Sequence, residues 1–154
     1  MSTRRDALVT ALERQSRIQV LGTVMNMQVI ATKAGLNMTD MQCLNLLTIE
    51  GALTPSQIAQ AMAMSKGGAI TAMIDRLEKG GYLRRARDPH DRRKVLIKAE
   101  LDGEPFRRLA DLFTPIGEGF AKVTEDYTDD QLATVVDYVT RNNETFVRHL
   151  AELG

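Results

Sequence analysis

The chain has 154 residues, of which 20 are Lys or Arg and 20 are Asp or Glu, so its formal net charge at pH 7 is zero. With 44% hydrophobic and 26% charged residues, it has the composition of one ordinary globular domain and not of a disordered segment. A single cysteine excludes an internal disulfide, and it fits the reducing cytoplasm, where we expect the protein to act. We expect neither a membrane span nor a signal peptide, because charged residues interrupt every apolar run.

The charges are not spread evenly along the chain. Between residues 76 and 98, nine basic residues stand against three acidic ones, which gives this segment a net charge of +6 and leaves −6 for the rest. The zero net charge is therefore a cancellation, and it does not argue against a polyanionic partner.

Residues 4–33 predict a long helix, because they contain no proline and their apolar residues repeat at helical spacing on two faces. A helix with two apolar faces needs two apolar partners. Gly35 and Asn37 are predicted to end this helix, and Thr39 or Asp40 to cap a second one that runs through Ile49.

The middle of the chain predicts a winged helix. Residues 54–57, Thr-Pro-Ser-Gln, combine a capping residue, a proline at the first helical position and a glutamine three residues on. Ser65 is predicted to cap the next helix, and Gly80-Gly81 to end it. Two β-prone runs follow, 82–87 and 94–98, joined by a turn that begins Asp-Pro. A helix-turn-helix followed by a basic hairpin is the pattern of a winged helix.

The C-terminal third predicts two helices, whose apolar residues step by three and four over 106–123 and 132–153. Thr128 with Gln131 makes a second capping box, and Pro115 is predicted to kink or locally open one helix without dividing it. These apolar seams must be buried somewhere. The two-faced first helix is the expected partner, either within one chain or across a dimer.

The predicted fold is mainly α with a small β-hairpin wing, a winged helix-turn-helix flanked by N- and C-terminal dimerisation helices. We expect a dimerisation helix at 1–36, a DNA-binding lobe at 37–100 and further dimerisation helices at 101–154, with the first and last segments forming one lobe. The predicted dimerisation residues are Leu8, Leu12, Leu132, Val136, Val139, Phe146, Leu150 and Leu153.

An enzyme is not expected. The two histidines have no nucleophile or carboxylate at a recognisable spacing, and no glycine-rich segment matches a phosphate-binding or dinucleotide-binding loop. Cys43 is interpreted as a small buried residue and not as a redox switch, because no basic residue near it in sequence would depress its pKa. No cofactor and no metal site are predicted.

The residues left outside on the second helix of the motif are small and polar, as a helix that enters a DNA groove needs. Arginines at the hairpin tip suit the narrow minor groove, where negative potential is concentrated. Asp91 is predicted to hold a wing arginine through a charge-assisted bond and so to fix the turn. The predicted DNA contacts are Thr54, Ser56, Gln57, Ser65, Lys66, Gly68, Thr71, Arg76, Arg84, Arg87, Arg92, Arg93 and Lys94.

In three segments, 65–71, 74–83 and 88–93, the sequence resembles the MarR family of bacterial transcription regulators. The last segment contains the family's wing signature, an Asp and an Arg separated by one residue, here Asp91 and Arg93. The resemblance implies a homodimer with its recognition helices in successive major grooves and its wings over the minor groove. It also implies a small aromatic or lipophilic effector bound between the dimerisation helices and the DNA-binding lobe.

The sequence departs from the family pattern after the wing, where the usual Leu-Thr pair before a glycine is absent from 99–103. Ala72 also replaces a residue that is often larger and polar or basic. We expect a sequence-specific regulator of double-stranded DNA, a repressor released by a small molecule. The alternatives are a winged-helix dimer that binds a protein through its wing, and a non-specific architectural DNA-binding protein.

Overall fold

The computed structural model describes residues 3–64 and 67–153, except for the side chain of Leu153. In the described residues the chain forms helices and one two-stranded sheet, in the order α1 Arg4–Ala34, α2 Met38–Glu50, α3 Pro55–Ala61, α4 Gly68–Lys79, β1 Leu83–Arg87, β2 Val95–Ala99, α5 Glu104–Thr124 and α6 Asp129–Leu153. The predicted class, mainly helical with a hairpin wing and long helices at both ends, is confirmed.

Side-chain caps set most of the helix starts. The predicted capping boxes at Thr54 and Thr128 are both present. The predicted cap of α2 was wrong, because Asn37 occupies that position and Asp40 is the third helical residue, which closes a capping box with it. In α4 the cap position is taken by Gly67, which has no side chain to bond, and the predicted cap Ser65 lies outside the described residues.

The wing is an antiparallel pair in which Leu83 lies opposite Ala99 and Arg87 lies opposite Val95. Leu53, in the turn before α3, extends this sheet by one residue, since its N–H donates to the Ile97 carbonyl at 3.1 Å and its carbonyl accepts from the Ile97 N–H at 2.7 Å. The helix-turn-helix and the wing are thereby joined through backbone hydrogen bonds.

The buried core is formed by residues between 30 and 109. They lie at the end of α1, on α2 to α4, on the two strands of the hairpin and at the start of α5. Apolar side chains fill it at helical spacing on α2 and α4, as the sequence predicts. The buried apolar residues are Ile30, Ala31, Met41, Cys43, Leu44, Leu47, Ile58, Ala59, Ile70, Met73, Ile74, Leu77, Leu83, Ile97 and Leu109.

The chain divides into two compact units, residues 1–109 and 110–154. The first contains the core, and among the described side chains of the second none is buried. Helix α5 continues through Pro115, so the prediction of one helix across this proline is confirmed. In the part of the chain that the structure describes, no helix is long and apolar enough to cross a membrane.

Candidate nucleic-acid interface

The entry into the helix-turn-helix is fixed by the capping box of α3. The Thr54 N–H donates to Gln57 Oε1 at 2.8 Å, and the Gln57 N–H donates to Thr54 Oγ1 at 3.3 Å. Pro55 occupies the first helical turn, where its missing N–H costs nothing. Of the three DNA contacts predicted here, Thr54 and Gln57 therefore hold the helix start with their side chains, while Ser56 is exposed.

Helix α4 has one buried face and one exposed face. Ile70, Met73, Ile74 and Leu77 are buried, whereas Gly68, Thr71 and Lys79 are exposed. A cleft of about 240 Å³ between α3 and α4 brings Ser56 and Thr71 to one surface, so the structure places two of the predicted DNA contacts together. Two further predicted contacts, Ser65 and Lys66, lie outside the described residues.

Arg76, predicted as a DNA contact, is bonded to a buried carboxylate. Its Nε donates to Asp40 Oδ2 at 3.1 Å and its Nη2 to Asp40 Oδ1 at 2.5 Å, while the Asp40 side chain is only 1% exposed. The hydrogen bonds to Asp40 raise the pKa of Arg76 above its ordinary value. This pair joins α4 to the first turn of α2.

Two further arginines of the basic segment also lie against carboxylates. The Arg85 guanidinium bonds Asp75 at 2.5 Å and also bonds Glu78, and its backbone N–H donates to Glu78 Oε1 at 3.0 Å. These contacts, with the bond to Asp75 the largest, raise the pKa of Arg85. Arg84, a predicted DNA contact, forms an ion pair with Glu100 across the hairpin. The first wing strand is therefore tied to α4 and to the residue after β2.

Carboxylates at the tip of the wing hold its turn. Asp88 Oδ1 accepts the backbone N–H groups of His90 at 2.8 Å and Asp91 at 3.2 Å, and the first of these bonds is the main cause that lowers the Asp88 pKa. Asp91 Oδ1 accepts the Arg93 N–H at 3.1 Å, and its Oδ2 lies 4.0 Å from Lys94 Nζ. Asp91 was expected to bond an arginine side chain. It bonds the backbone N–H of Arg93 instead, because the short turn places that N–H close to its carboxylate.

The remaining wing cations are exposed. Among the described residues no carboxylate oxygen lies within 4 Å of the charged groups of Arg87, Arg92, Arg93 or Lys98, and Lys94 has only its distant contact with Asp91. Unpaired arginines on a thin ribbon are available to phosphate oxygens or to the minor groove. The structure therefore divides the basic segment into arginines that make internal bonds and cations that face solvent.

Cys43 is fully buried, and burial, with a smaller contribution from the charge of Asp40, raises the pKa of its thiol to about 11. Since the thiolate is the reactive form, burial disfavours reaction of Cys43 at neutral pH, and the prediction that Cys43 is a buried residue is confirmed. In the described part of the chain no three His, Cys, Asp or Glu side chains group as metal ligands.

Comparison with known proteins decides the family. A model of the MarR family matches residues 36–95. YcgE of Bacillus subtilis, an uncharacterized HTH-type transcriptional regulator, is 31% identical over 131 residues, which are 85% of this chain and 83% of the relative. The chain belongs to the MarR family. It is thus a DNA-binding helix-turn-helix transcriptional regulator from a family that is not enzymatic, and the resemblance seen in the sequence is confirmed.

Solved MarR-family structures have the same fold. A MarR family protein from Bacillus stearothermophilus superposes with a TM-score of 0.65 at 22% identity, over 96% of this chain and 99% of that one. A mutant of MarR from E. coli, solved in complex with operator DNA, gives a TM-score of 0.52 at 20% identity, over 91% of this chain and 98% of that one. At 20 to 22% sequence identity, the similarity to these two structures establishes a common fold only.

Sequence reasoning missed two parts of this MarR-family surface. Asp40 was considered only as a helix cap, although its carboxylate also binds Arg76, 36 residues away. Arg85 was not singled out, although it joins the wing to Asp75 and Glu78. The spacing of Asp75 and Glu78 on one face of a helix, followed by an arginine in the next strand, is the signal that could have indicated this second contact.

Proposed function

We propose that the protein is a homodimeric repressor that binds a pseudo-palindromic operator in double-stranded DNA and is released by a small molecule. One observation carries the proposal: the exposed face of α4 and the unpaired wing cations belong to the same winged-helix lobe. The helix offers small polar side chains to base edges, and the wing offers positive charge to the phosphates beside it.

In this proposal α4 enters the major groove and the wing lies over the adjacent minor groove. Thr71 and Ser56 contact bases or phosphates, and Arg92 and Arg93 sit at the hairpin tip. Gly68 begins α4, where free N–H groups favour a phosphate. Two lobes that dock on one face of B-DNA need recognition helices about 34 Å apart, one helical turn.

The exposed apolar residues of the long helices support the dimer. Large hydrophobic side chains that are exposed together are typical of a surface that binds another protein. On α1 the predicted seam residues Leu8 and Leu12 are exposed, and so are Val136, Val139, Phe146 and Leu150 on α6. Leu132 is half-buried, and the side chain of Leu153 is outside the described part. We propose that α1 and α6 pack against their counterparts in a second copy.

Replacement of Phe146 by Glu tests the dimer, because it places a charge in the seam of α6. Thr145→Glu is the matched control, since Thr145 is also exposed but lies about 100° around the helix from Phe146, outside the line of seam residues. By sedimentation we expect a dimer for wild type and Thr145→Glu and a monomer for Phe146→Glu. A wild-type monomer at micromolar concentration would contradict the dimer.

Release by an effector is the part of the proposal that the family resemblance supports. The effector that the resemblance implies is a small aromatic or lipophilic molecule. Titration of the operator complex with a panel of small phenols tests this, with dissociation expected at a ligand concentration that leaves the dimer intact. As a regulator of transcription, the protein would act in the cytoplasm.

Selection of bound fragments from random and genomic DNA tests the function as a whole. The proposal predicts enrichment of an inverted repeat. Binding with no enriched sequence would favour a non-specific architectural protein, and failure to retain any DNA would favour a module that binds an acidic protein through the wing. Either of these results would overturn the proposed function.

A further inference from the structure

Asp40 is the one buried charged residue in the described part of the chain. Its carboxylate has three donors: the Asn37 N–H at 3.2 Å and two nitrogens of Arg76. It also lies in the first turn of α2, where the helix dipole favours a negative charge. These partners compensate the cost of removing the carboxylate from water.

Arg76 meets this carboxylate with two of its nitrogens, in a side-on geometry that fixes direction as well as distance. Its own side chain is 49% exposed, so one end of the contact is anchored in the core and the other lies at the surface of α4. The apolar stripe of α4 cannot supply this directionality, because the hydrophobic effect is non-directional and depends on the apolar area that is buried.

We propose that the Asp40–Arg76 pair is a clamp that sets the position of α4 for sequence readout, and that Arg76 is a positioning residue and not a phosphate contact. The inference rests on the proposed DNA binding by α4 and adds to it the residues that orient the helix. Base recognition needs side chains held to within a fraction of an ångström, so a looser helix loses specific contacts before it loses charge attraction.

Asp40→Asn is the sharpest test, because electrostatics and positioning predict opposite changes in DNA affinity. The substitution keeps the side-chain volume and an oxygen for the Asn37 N–H, and it makes the protein more positive. If Arg76 served only as a cation, Asp40→Asn would leave DNA affinity unchanged or increase it. The clamp predicts an affinity for the selected operator fragment at least about 10-fold lower, the effect of losing a hydrogen bond between charged groups.

The salt dependence of binding separates positioning from phosphate contact. Fluorescence anisotropy is measured on the operator fragment and on a random fragment of equal length, from about 50 to 300 mM salt. For Asp40→Asn and for the double variant Asp40→Asn/Arg76→Gln, which leaves no unpaired buried charge, we expect lower operator affinity, unchanged random-fragment affinity and an unchanged salt slope. Arg92→Gln, the control for a solvent-facing cation, should lower both affinities and flatten the slope.

Two results in these titrations would overturn the clamp. One is an Asp40→Asn protein that binds the operator as tightly as wild type. The other is an equal loss on both fragments with a flatter slope in the double variant, which would assign Arg76 to phosphate. Stoichiometric titration gives the active fraction and thermal unfolding the stability, so that a loss of folded protein is not counted as a loss of positioning.

Hydrogen exchange on the free protein tests the clamp without DNA. In Asp40→Asn we expect exchange of the α4 amides, residues 68–79, to accelerate about 10-fold while those of α3 keep their wild-type protection. Unchanged protection of α4 would overturn the clamp even if the wild type binds an operator. A wild type that selects no DNA site, with α4 loosened as expected in the variant, would instead overturn the proposed function and leave the clamp standing.

Discussion

Replacement of Arg93 by Gln removes one solvent-facing cation from the tip of each wing. Its backbone N–H is held by Asp91, but its guanidinium has no carboxylate partner in the described residues, so the substitution removes no internal ion pair. If Arg87, Arg92, Arg93 and Lys94 each neutralise one phosphate, a dimer makes eight such contacts, and log K should fall against log salt with a slope of about −7.

The Arg93→Gln dimer loses two of these contacts, so its slope should be shallower by about 1.8, and its affinity at about 0.15 M salt should be about 30-fold lower if binding at 1 M is unchanged. Anisotropy titrations over about 50 to 300 mM salt measure both quantities. Arg108→Gln on α5 is the control, since it removes the same charge from outside α4 and the wing. An unchanged slope in Arg93→Gln, or an equal change in Arg108→Gln, would refute the assignment of the wing tip to DNA.

The other predictions concern the wing turn, the buried thiol and the core. Asp91→Ala should weaken operator binding although it removes a negative charge, because Asp91 holds the Arg93 N–H at 3.1 Å; tighter binding in the same titration would show that Asp91 only repels phosphate. Since the folded-state pKa of Cys43 is raised from 9.0 to about 11, the stability that it contributes is complete below pH 9 and is lost as the pH rises toward 11. The free energy of unfolding of wild type relative to Cys43→Ala should therefore fall by about 2 kcal/mol between about pH 8 and 11 in urea melts, and a constant difference would contradict the burial argument. Leu77→Ala, at a fully buried position on α4, should lower the free energy of unfolding by about 2 to 5 kcal/mol, and a loss well below about 1 kcal/mol would mean that the stripe is not packed as described.

Local signals predicted the elements of this fold well, because each depends on residues a few positions apart. The Thr54 and Thr128 capping boxes need only a partner three residues on, and the α4 stripe needs only helical spacing. The error at the start of α2 has the same origin. Asn37 and Asp40 form a capping box of the same kind, but Gly35 and Asn37 together predict the end of α1.

The candidate interface was less predictable, because ion pairs between distant residues redistribute its charge. In a count of charges along the sequence, Arg76 and Arg84 are equivalent to Arg92 and Arg93. The fold instead places Arg76 against Asp40 and Arg84 against Glu100, so these charges are largely satisfied within the protein. No spacing in the sequence indicates such pairs, since the partners meet only when α2, α4 and the hairpin have packed.

Footprinting of the wild-type protein on its selected fragment, with dimethyl sulfate for the major groove and hydroxyl radical for the backbone and minor groove, tests the central claim most directly, because it maps where each lobe touches DNA. A dimer with one α4 and one wing per half-site predicts two protected major-groove segments about one helical turn apart, flanked by minor-groove protection on the same face of the duplex. A single protected segment, or uniform protection along the fragment, would contradict the account.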